Sequence, residues 1–250
     1  MLVFNKVSFQ YPTEDFNIID DLSFHIAPGE FASLIGVSGC GKSTVFRLIT
    51  QLLQPKSGTI LVGRKNISGQ KNYVGYMPQK DLLFPWRTIG QNLELPMELQ
   101  GLTRSERERK RDQVLEEIGL KGYGNKYPKE LSGGMRQRVA FGRTILTDSE
   151  LLLLDEPFTA LDFLTKLDMQ EWLLSEWQQL QKTILFITHD IEEAIFLSQT
   201  IFIVREKPIR TLERIEVPLS KTRSRACLNM PQIAELKKYL MDLLRKQVVS

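Results

Sequence analysis

The chain is 250 residues long, 42% hydrophobic and 25% charged, with a formal net charge of +3 and two cysteines. That is enough apolar material to bury a sizeable core as one large domain or two unequal lobes. A balance of +3 is too small to argue for a nucleic-acid partner, although it is compatible with an anionic membrane surface. Cys40 and Cys227 cannot form a disulfide framework, no secretory signal precedes Val3, and no window approaches the ~18 consecutive apolar residues that span a bilayer, so a reducing cytosol is expected.

Leu2–Phe9 alternates apolar and polar residues as a half-buried strand does, and Tyr11-Pro12 ends it. Asn17–Ile26 reads as a second strand, and Pro28-Gly29 turns the chain into a buried strand at Phe31–Ile35. Directly after it, Gly36, Gly41, Lys42 and Ser43 fit G-x-x-x-x-G-K-[ST], the phosphate-binding loop, followed by a helix at Val45–Leu53. Glycines let successive backbone N–H groups converge on phosphate oxygens, and the helix adds its unpaired N–H groups and positive dipole end. Lys42 is expected to reach the β- and γ-phosphates, and the Ser43 hydroxyl to ligate Mg²⁺. Tyr11, one hairpin earlier, is placed to fold back beside the loop and stack on a purine ring. Cys40 lies inside the loop near Lys42 and a helix start, features that make a thiol nucleophilic. With no internal repeat, one nucleotide site per chain is expected.

Thr59–Val62 and Tyr73–Met77 are short strands, the second ended by Pro78-Gln79. Gln79 can put its amide oxygen on Mg²⁺ or on an attacking water. Leu82-Leu83-Phe84-Pro85-Trp86 is unusually apolar for a loop, so it is either core or an exposed patch awaiting a partner. Ile89–Glu98 and Ser105–Ile118 are helical, and the charge run Arg104–Asp112 marks a solvated face. Ser132 is a helix N-cap, and Gly133-Gly134 lets that helix start approach an anion closely. The basic first turn at Arg136 and Arg138 is unfavourable at a helix N-terminus unless an anion binds there.

Leu151–Leu154 ending in Asp155-Glu156 describes a buried parallel strand whose carboxyl end meets the ligand. Asp155 suits Mg²⁺, and Glu156 is placed to take a proton from the attacking water. Leu161-Asp162 opens a helix to about Gln181, Thr183–Thr188 is another strand, and His189 sits at its tip. His25 lies within a strand and is structural, whereas His189 can point at a γ-phosphate. Thr200–Val204 is expected to close the sheet, followed by a strand at Thr211–Val217, a basic stretch at Lys221–Arg225 and a helix from Pro231 to about Lys246.

Tyr11, the loop Gly36–Ser43, Gln79, Leu131–Met135, Asp155-Glu156, Asp162 and His189 stand in the order found in ATP-binding subunits of ABC transporters, and the chain resembles that family from Tyr11 to His189. Leu131-Ser132-Gly133-Gly134 is the specific element, since phosphate loops serve many enzymes. The resemblance implies an α/β P-loop NTPase fold: a mixed, largely parallel sheet core with an antiparallel β lobe and an α-helical lobe. It implies an ATPase domain over residues 1–205, with a helical signature lobe at roughly 82–146, and a short C-terminal extension over 206–250. ATP and Mg²⁺ are the cofactors implied. Tyr11, Gly36, Ser38, Gly39, Cys40, Gly41, Lys42, Ser43 and Thr44 would hold the nucleotide, with Ser43, Gln79 and Asp155 on the metal. Glu156, His189, Gln79 and Lys42 would be catalytic. Two copies would sandwich two ATP molecules head to tail, so that Ser132 and Gly134 of one cap the γ-phosphate at Lys42 of the other, with Gly133 and Asp162 also counted among the nucleotide-binding residues. That would supply the anion missing from the basic helix start. Permease subunits in the membrane, and through them an extracytoplasmic substrate-binding protein, would complete the machine, with this chain on the cytoplasmic face.

Two positions depart from the family's pattern: Met135 replaces a glutamine, and Gly142 stands where alanine is common. If exposed, that glycine costs roughly 1 kcal/mol of helix stability. Gln79 followed by Leu82–Thr88 is similar to importers of nitrate, sulfonates, taurine and thiamine-precursor pyrimidines. The tail after Arg205 is too short for the regulatory domain that some sugar and polyamine importers append. A soluble ABC ATPase of DNA repair or translation would carry two cassettes or a long coiled coil, and neither is present. Thr165-Lys166-Leu167-Asp168 matches the guanine-reading [NT]-K-x-D pattern of GTPases, but it lies in a helical rhythm rather than after a buried strand.

Overall fold

Leu2–Phe9 (β1) and Ile19–Ile26 (β2) bury only their apolar positions and pair antiparallel, with Leu2 opposite Ile26. The chain, a computed structural model that describes residues 1–248, then builds a second and different sheet. Phe31–Ile35 (β3) is buried at all five positions and leads through the glycine loop into Lys42–Ile49 (α1). Ser57–Val62 (β4) returns to pair antiparallel with β1, and Lys65–Asn66 (β5) adds a two-residue edge to it. Val74–Met77 (β6) is the first strand of the far side of the second sheet.

The chain next leaves the sheets for three helices: Ile89–Leu99 (α2), Arg104–Glu117 (α3) and Gly133–Ile145 (α4). Thr88 with Gln91 and Thr103 with Glu106 form reciprocal capping boxes, which fix where α2 and α3 begin. Leu93, Met97, Val114, Ile118, Val139 and Phe141 close the space between the three. A Cβ on Gly142 would lie 2.7 Å from Val114 Cγ1 and 3.2 Å from Leu93 Cδ2, so α4 meets α3 and α2 at a distance only glycine permits. The helix-propensity penalty expected for an exposed Gly142 therefore does not apply; the residue is buried, and its missing methyl is a packing requirement.

Leu151–Asp155 (β7), Phe163–Leu180 (α5), Thr183–Ile187 (β8), Ile191–Leu197 (α6) and Thr200–Val204 (β9) complete the buried centre. Leu212–Glu216 (β10) and Pro231–Val248 (α7) follow. The six-stranded sheet runs β10-β9-β3-β8-β7-β6, parallel throughout except for β10. Its central strands are buried end to end, as a parallel sheet covered on both faces requires.

Thr200–Val204 does not close the sheet, contrary to the sequence expectation, because β10 pairs antiparallel along its outer side. An open β9 would present a row of unpaired backbone groups, and β10, charged at Glu213, Arg214 and Glu216, makes a better edge. Residue 205 thus falls between two adjacent strands of one sheet. Helix α7 seats Ile233, Leu240 and Leu243 against Ala194 and Ile195 of α6 and Ile201 and Ile203 of β9. Among the described residues no helix is long and apolar enough to cross a membrane.

Candidate functional site

The turn from β3 to α1 is held in place by its glycines. Gly41, the residue before α1, has φ 107°, and a Cβ there would press on Ile18 Cγ2 and Ile209 Cδ1 at 3.0 Å. No side chain caps α1 and its first turn holds no acid; the Thr44 and Val45 N–H groups turn back to the Gly41 carbonyl, and those of Lys42 and Ser43 are left for an outside acceptor. Lys42 is buried, and its Nζ donates to the Gly36 carbonyl at 2.7 Å and the Val37 carbonyl at 3.0 Å. Ser38, Gly39, Gly41, Lys42, Ser43 and Thr44 form one wall of a cleft of about 350 Å³, and Gln79, Glu156 and Ile187 form the other.

Asp155 ends β7, 7% exposed and hydrogen-bonded to Ser43 of the loop wall. Burial and then the charge of Glu156 push its carboxyl up to about 6, against the pull of a Ser43 hydrogen bond and of Lys42 and Arg47. The Glu156 backbone turns left-handed (φ 50°) while its N–H donates to the Ile187 carbonyl at 2.9 Å. Strain of this kind in a residue with a Cβ is typical of functional positions. Two groups from distant parts of the chain, Gln79 Nε2 at 3.3 Å and His189 Nδ1 at 3.4 Å, converge on Glu156 Oε2 with the nearby Thr159 Oγ1 at 3.2 Å. A carboxylate so surrounded is held in place, and Glu156 lines the cleft that the phosphate loop opens onto. Such a group can take a proton from water there.

Tyr11 does fold back to the loop, with its hydroxyl 3.0 Å from Thr44 Oγ1, Arg47 Nη1 3.4 Å from that hydroxyl, and its ring edge-on to Phe9. Cys40 is 6% exposed and packed among β-lobe and α1 side chains, so the reactive thiol expected from the sequence is shielded. Ser132 caps α4 by accepting from the Met135 N–H at 3.2 Å, and Gly134 lies against Ala160 and Leu161. Asp162 caps α5 through the Thr165 N–H at 3.1 Å; that residue's bonds hold the carboxyl below its usual range. Ser132, Gly133, Gly134 and Asp162 are absent from the walls of the Lys42 cleft, so one chain does not unite the two halves. The apolar loop is divided: Leu83 is core, Phe84 is half-buried, and Leu82 and Trp86 are 60% and 71% exposed.

Sequence reasoning missed Thr159 and the fastening of that loop. Arg136 Nε donates to Asp81 Oδ2 at 2.9 Å, and Arg143 donates to the Asp81 and Leu82 carbonyls at 2.9 and 3.0 Å. Asn92, fully buried, accepts from the Phe84 N–H and donates to the Phe84, Arg87 and Thr88 carbonyls. Arg136 and Arg143 are seven residues apart, hence on one face of α4, and that spacing was the available signal.

Residues 19–159 match the family model described as ABC transporter. The formylaminopyrimidine import ATP-binding protein ThiZ of Halalkalibacterium halodurans is 45% identical over 218 residues, covering 87% of this chain and 85% of that protein. The nitrate import ATP-binding protein NrtD of Synechocystis is 45% identical over 190 residues, 76% of this chain and 71% of that protein. A solved dimeric post-hydrolysis state of the ATP-binding cassette MJ0796, bound to ADP and Pi, aligns with a TM-score of 0.79 at 26% identity, over 88% of this chain and 100% of that one. With the phosphate loop, the acidic strand end and the Ser-Gly-Gly helix cap in these places, the chain belongs to the ABC transporter family, as an ATP-binding cassette that hydrolyses ATP.

Proposed function

We propose that the chain powers import of a small solute of the nitrate, sulfonate or thiamine-precursor pyrimidine kind, from the cytoplasmic face of the membrane. The convergence of Gln79, Thr159 and His189 on Glu156, across a cleft from Lys42, carries the chemical part of this reading. Glu156 takes the proton of the attacking water. Gln79 orients that water, His189 faces the γ-phosphate, and Lys42 exchanges its loop carbonyls for β- and γ-phosphate oxygens. Tyr11 lies against the base, and the backbone N–H groups from Gly36 to Thr44 hold the phosphates. The oxygen donors Ser43, Gln79 and Asp155 suit Mg²⁺, and the raised Asp155 carboxyl beside Glu156 is a pair that a divalent cation would neutralise. When bound, Mg²⁺ would draw charge from the β- and γ-phosphates.

A second copy completes the site. Ser132, Gly133, Gly134 and Asp162 lie off the cleft in their own chain, and the solved neighbour is dimeric. The exposed Leu82 and Trp86 form the surface for a permease helix, and the extension after residue 205 returns to the ATPase domain of residues 1–205 through β10 and α7. The solute class rests on the two import relatives and on the loop Leu82–Thr88. Reconstitution with its permease and binding protein in vesicles tests the whole reading. MgATP should drive uptake of a labelled formylaminopyrimidine or of nitrate. ATP turnover indifferent to the permease would overturn it and favour a soluble ATPase.

A further inference from the structure

Lys166 enters the sequence only through a guanine-reading pattern in an unsuitable place, yet its surroundings give it a definite task. It stands in the first turn of α5, its N–H bonded to the Asp162 carbonyl at 2.8 Å. Its Nζ lies 2.9 Å from Asp190 Oδ2 and 2.6 Å from Glu193 Oε1. Glu193 is 6% exposed; its second oxygen accepts the Thr188 hydroxyl, and Gln170 Nε2 donates to the first at 3.2 Å. Thr188 Oγ1 in turn accepts from the Asp190 N–H at 3.0 Å.

Thr188 and Asp190 are the neighbours of His189 on either side, so the network grips the backbone before and after the histidine. The imidazole itself is largely exposed, its side chain 66% accessible, and it reaches Glu156 Oε2 at 3.4 Å. Its position is therefore set by the backbone rather than by packing around the ring. We propose that Lys166 is a positioning residue for hydrolysis: by pairing with Asp190 and Glu193 it fixes the backbone that holds the His189 ring against Glu156.

The charges support the geometry. Burial alone would raise the Asp190 carboxyl, but the Lys166 hydrogen bond and charge hold it below its usual range. Without the ammonium, Asp190 and the buried Glu193 would face each other uncompensated, and one must move. Either movement shifts a residue that flanks His189 or bonds its flank. A displacement of about 1 Å at a reacting group commonly costs up to ~10²-fold in rate.

The experiment uses the full chain, which has two histidines, His25 exposed on β2 and His189 at the site. In Lys166→Met the His189 imidazole ¹⁵N signals should move while those of His25 stay. The ATPase kcat should fall by about 10- to 100-fold with KM for ATP changed less than twofold, and Lys166→Arg should restore both signals and rate. Unmoved His189 signals in a folded Lys166→Met protein would overturn the proposal. If that variant fails to fold, Asp190→Asn takes its place; it keeps a capping oxygen for α6 and removes the charge Lys166 pairs with. The His189 signals must then move in Asp190→Asn, and their constancy would equally overturn it.

The rate effect rests on the reading of His189 as a group that acts in hydrolysis, and His189→Ala separates the two. Full turnover in His189→Ala would remove that reading, while the imidazole signals would still decide whether Lys166 sets the ring. Where the reading holds, Lys166→Met should slow His189→Ala no further, because both changes act through one group.

Discussion

Asp155→Asn should make the cation-free protein more stable and inactive at once. The Asp155 carboxyl is raised from an ordinary 3.8 to about 6 by burial and by Glu156. The folded chain thus holds that proton more tightly than the unfolded chain. Stability contributed by the protonated acid is complete below about pH 4 and is lost as pH rises toward 6. At pH 7 the accumulated loss is roughly 2 pH units at about 1.4 kcal/mol each, or about 3 kcal/mol. Asparagine has the same shape, still accepts a hydrogen bond from Ser43, and carries no charge to desolvate. In EDTA at pH 7 the variant should therefore gain up to about 3 kcal/mol, a rise in Tm of roughly 6–12 °C for a chain of this size. At pH 4 the two proteins should melt together. Because every other titrating group is shared, the difference between their melting curves isolates Asp155. An Asp155→Asn protein no more stable than the parent at pH 7, or a gap that does not close on acidification, would refute the reasoning.

Glu156→Gln should keep ATP binding and lose about 10²- to 10⁴-fold of hydrolysis, whereas Lys42→Ala should weaken binding itself; filter binding and phosphate release separate the two. GTP should displace labelled ATP at least weakly, because a tyrosine stacked on a base reads its face and not its edge; strict guanine preference would restore a role to Thr165–Asp168. Gly142→Ala should lower the urea midpoint by about 1–3 kcal/mol of stability despite alanine's better helix propensity, since its methyl would overlap Val114. A midpoint unchanged or raised would mean that α3 and α4 separate freely.

What the sequence made legible was whatever depends on near neighbours. Four leucines before Asp155 could only be a buried strand, and Ser132 before two glycines announced its cap. Helix α6 escaped notice because Ala194–Leu197 is buried on every side and so shows no period within seven residues. The place of β10 outside β9 was equally hidden, since strand partners are chosen by the whole sheet. The sequence left the burial of Gly142 and Leu83 open for one reason: exposure is decided by segments that arrive from elsewhere. Of the groups around Glu156, Thr159 is three residues on, but Gln79 and His189 come from the ends of other strands and no local spacing relates them to it.

Helix α4 ties these long-range features together. Its first turn carries Ser132 and Gly134, which in the proposed dimer meet the partner's nucleotide. Farther along the same rod, Arg136 and Arg143 hold Asp81 and the Leu82 carbonyl by three contacts, two residues beyond Gln79 and beside the exposed Leu82 and Trp86. A helix transmits displacement along its axis with little loss, because each turn is fixed to the next by backbone hydrogen bonds. Gly142 lets this rod run against α3 and α2 without a side chain between them. In the proposed dimer, movement at the Ser132 end would be passed to the Leu82–Trp86 surface through Arg136 on the Asp81 carboxylate and Arg143 on the Asp81 and Leu82 carbonyls. Those bonds depend on guanidinium geometry rather than on charge alone, so lysine at 143 would keep the charge and lose the fork that spans two carbonyls.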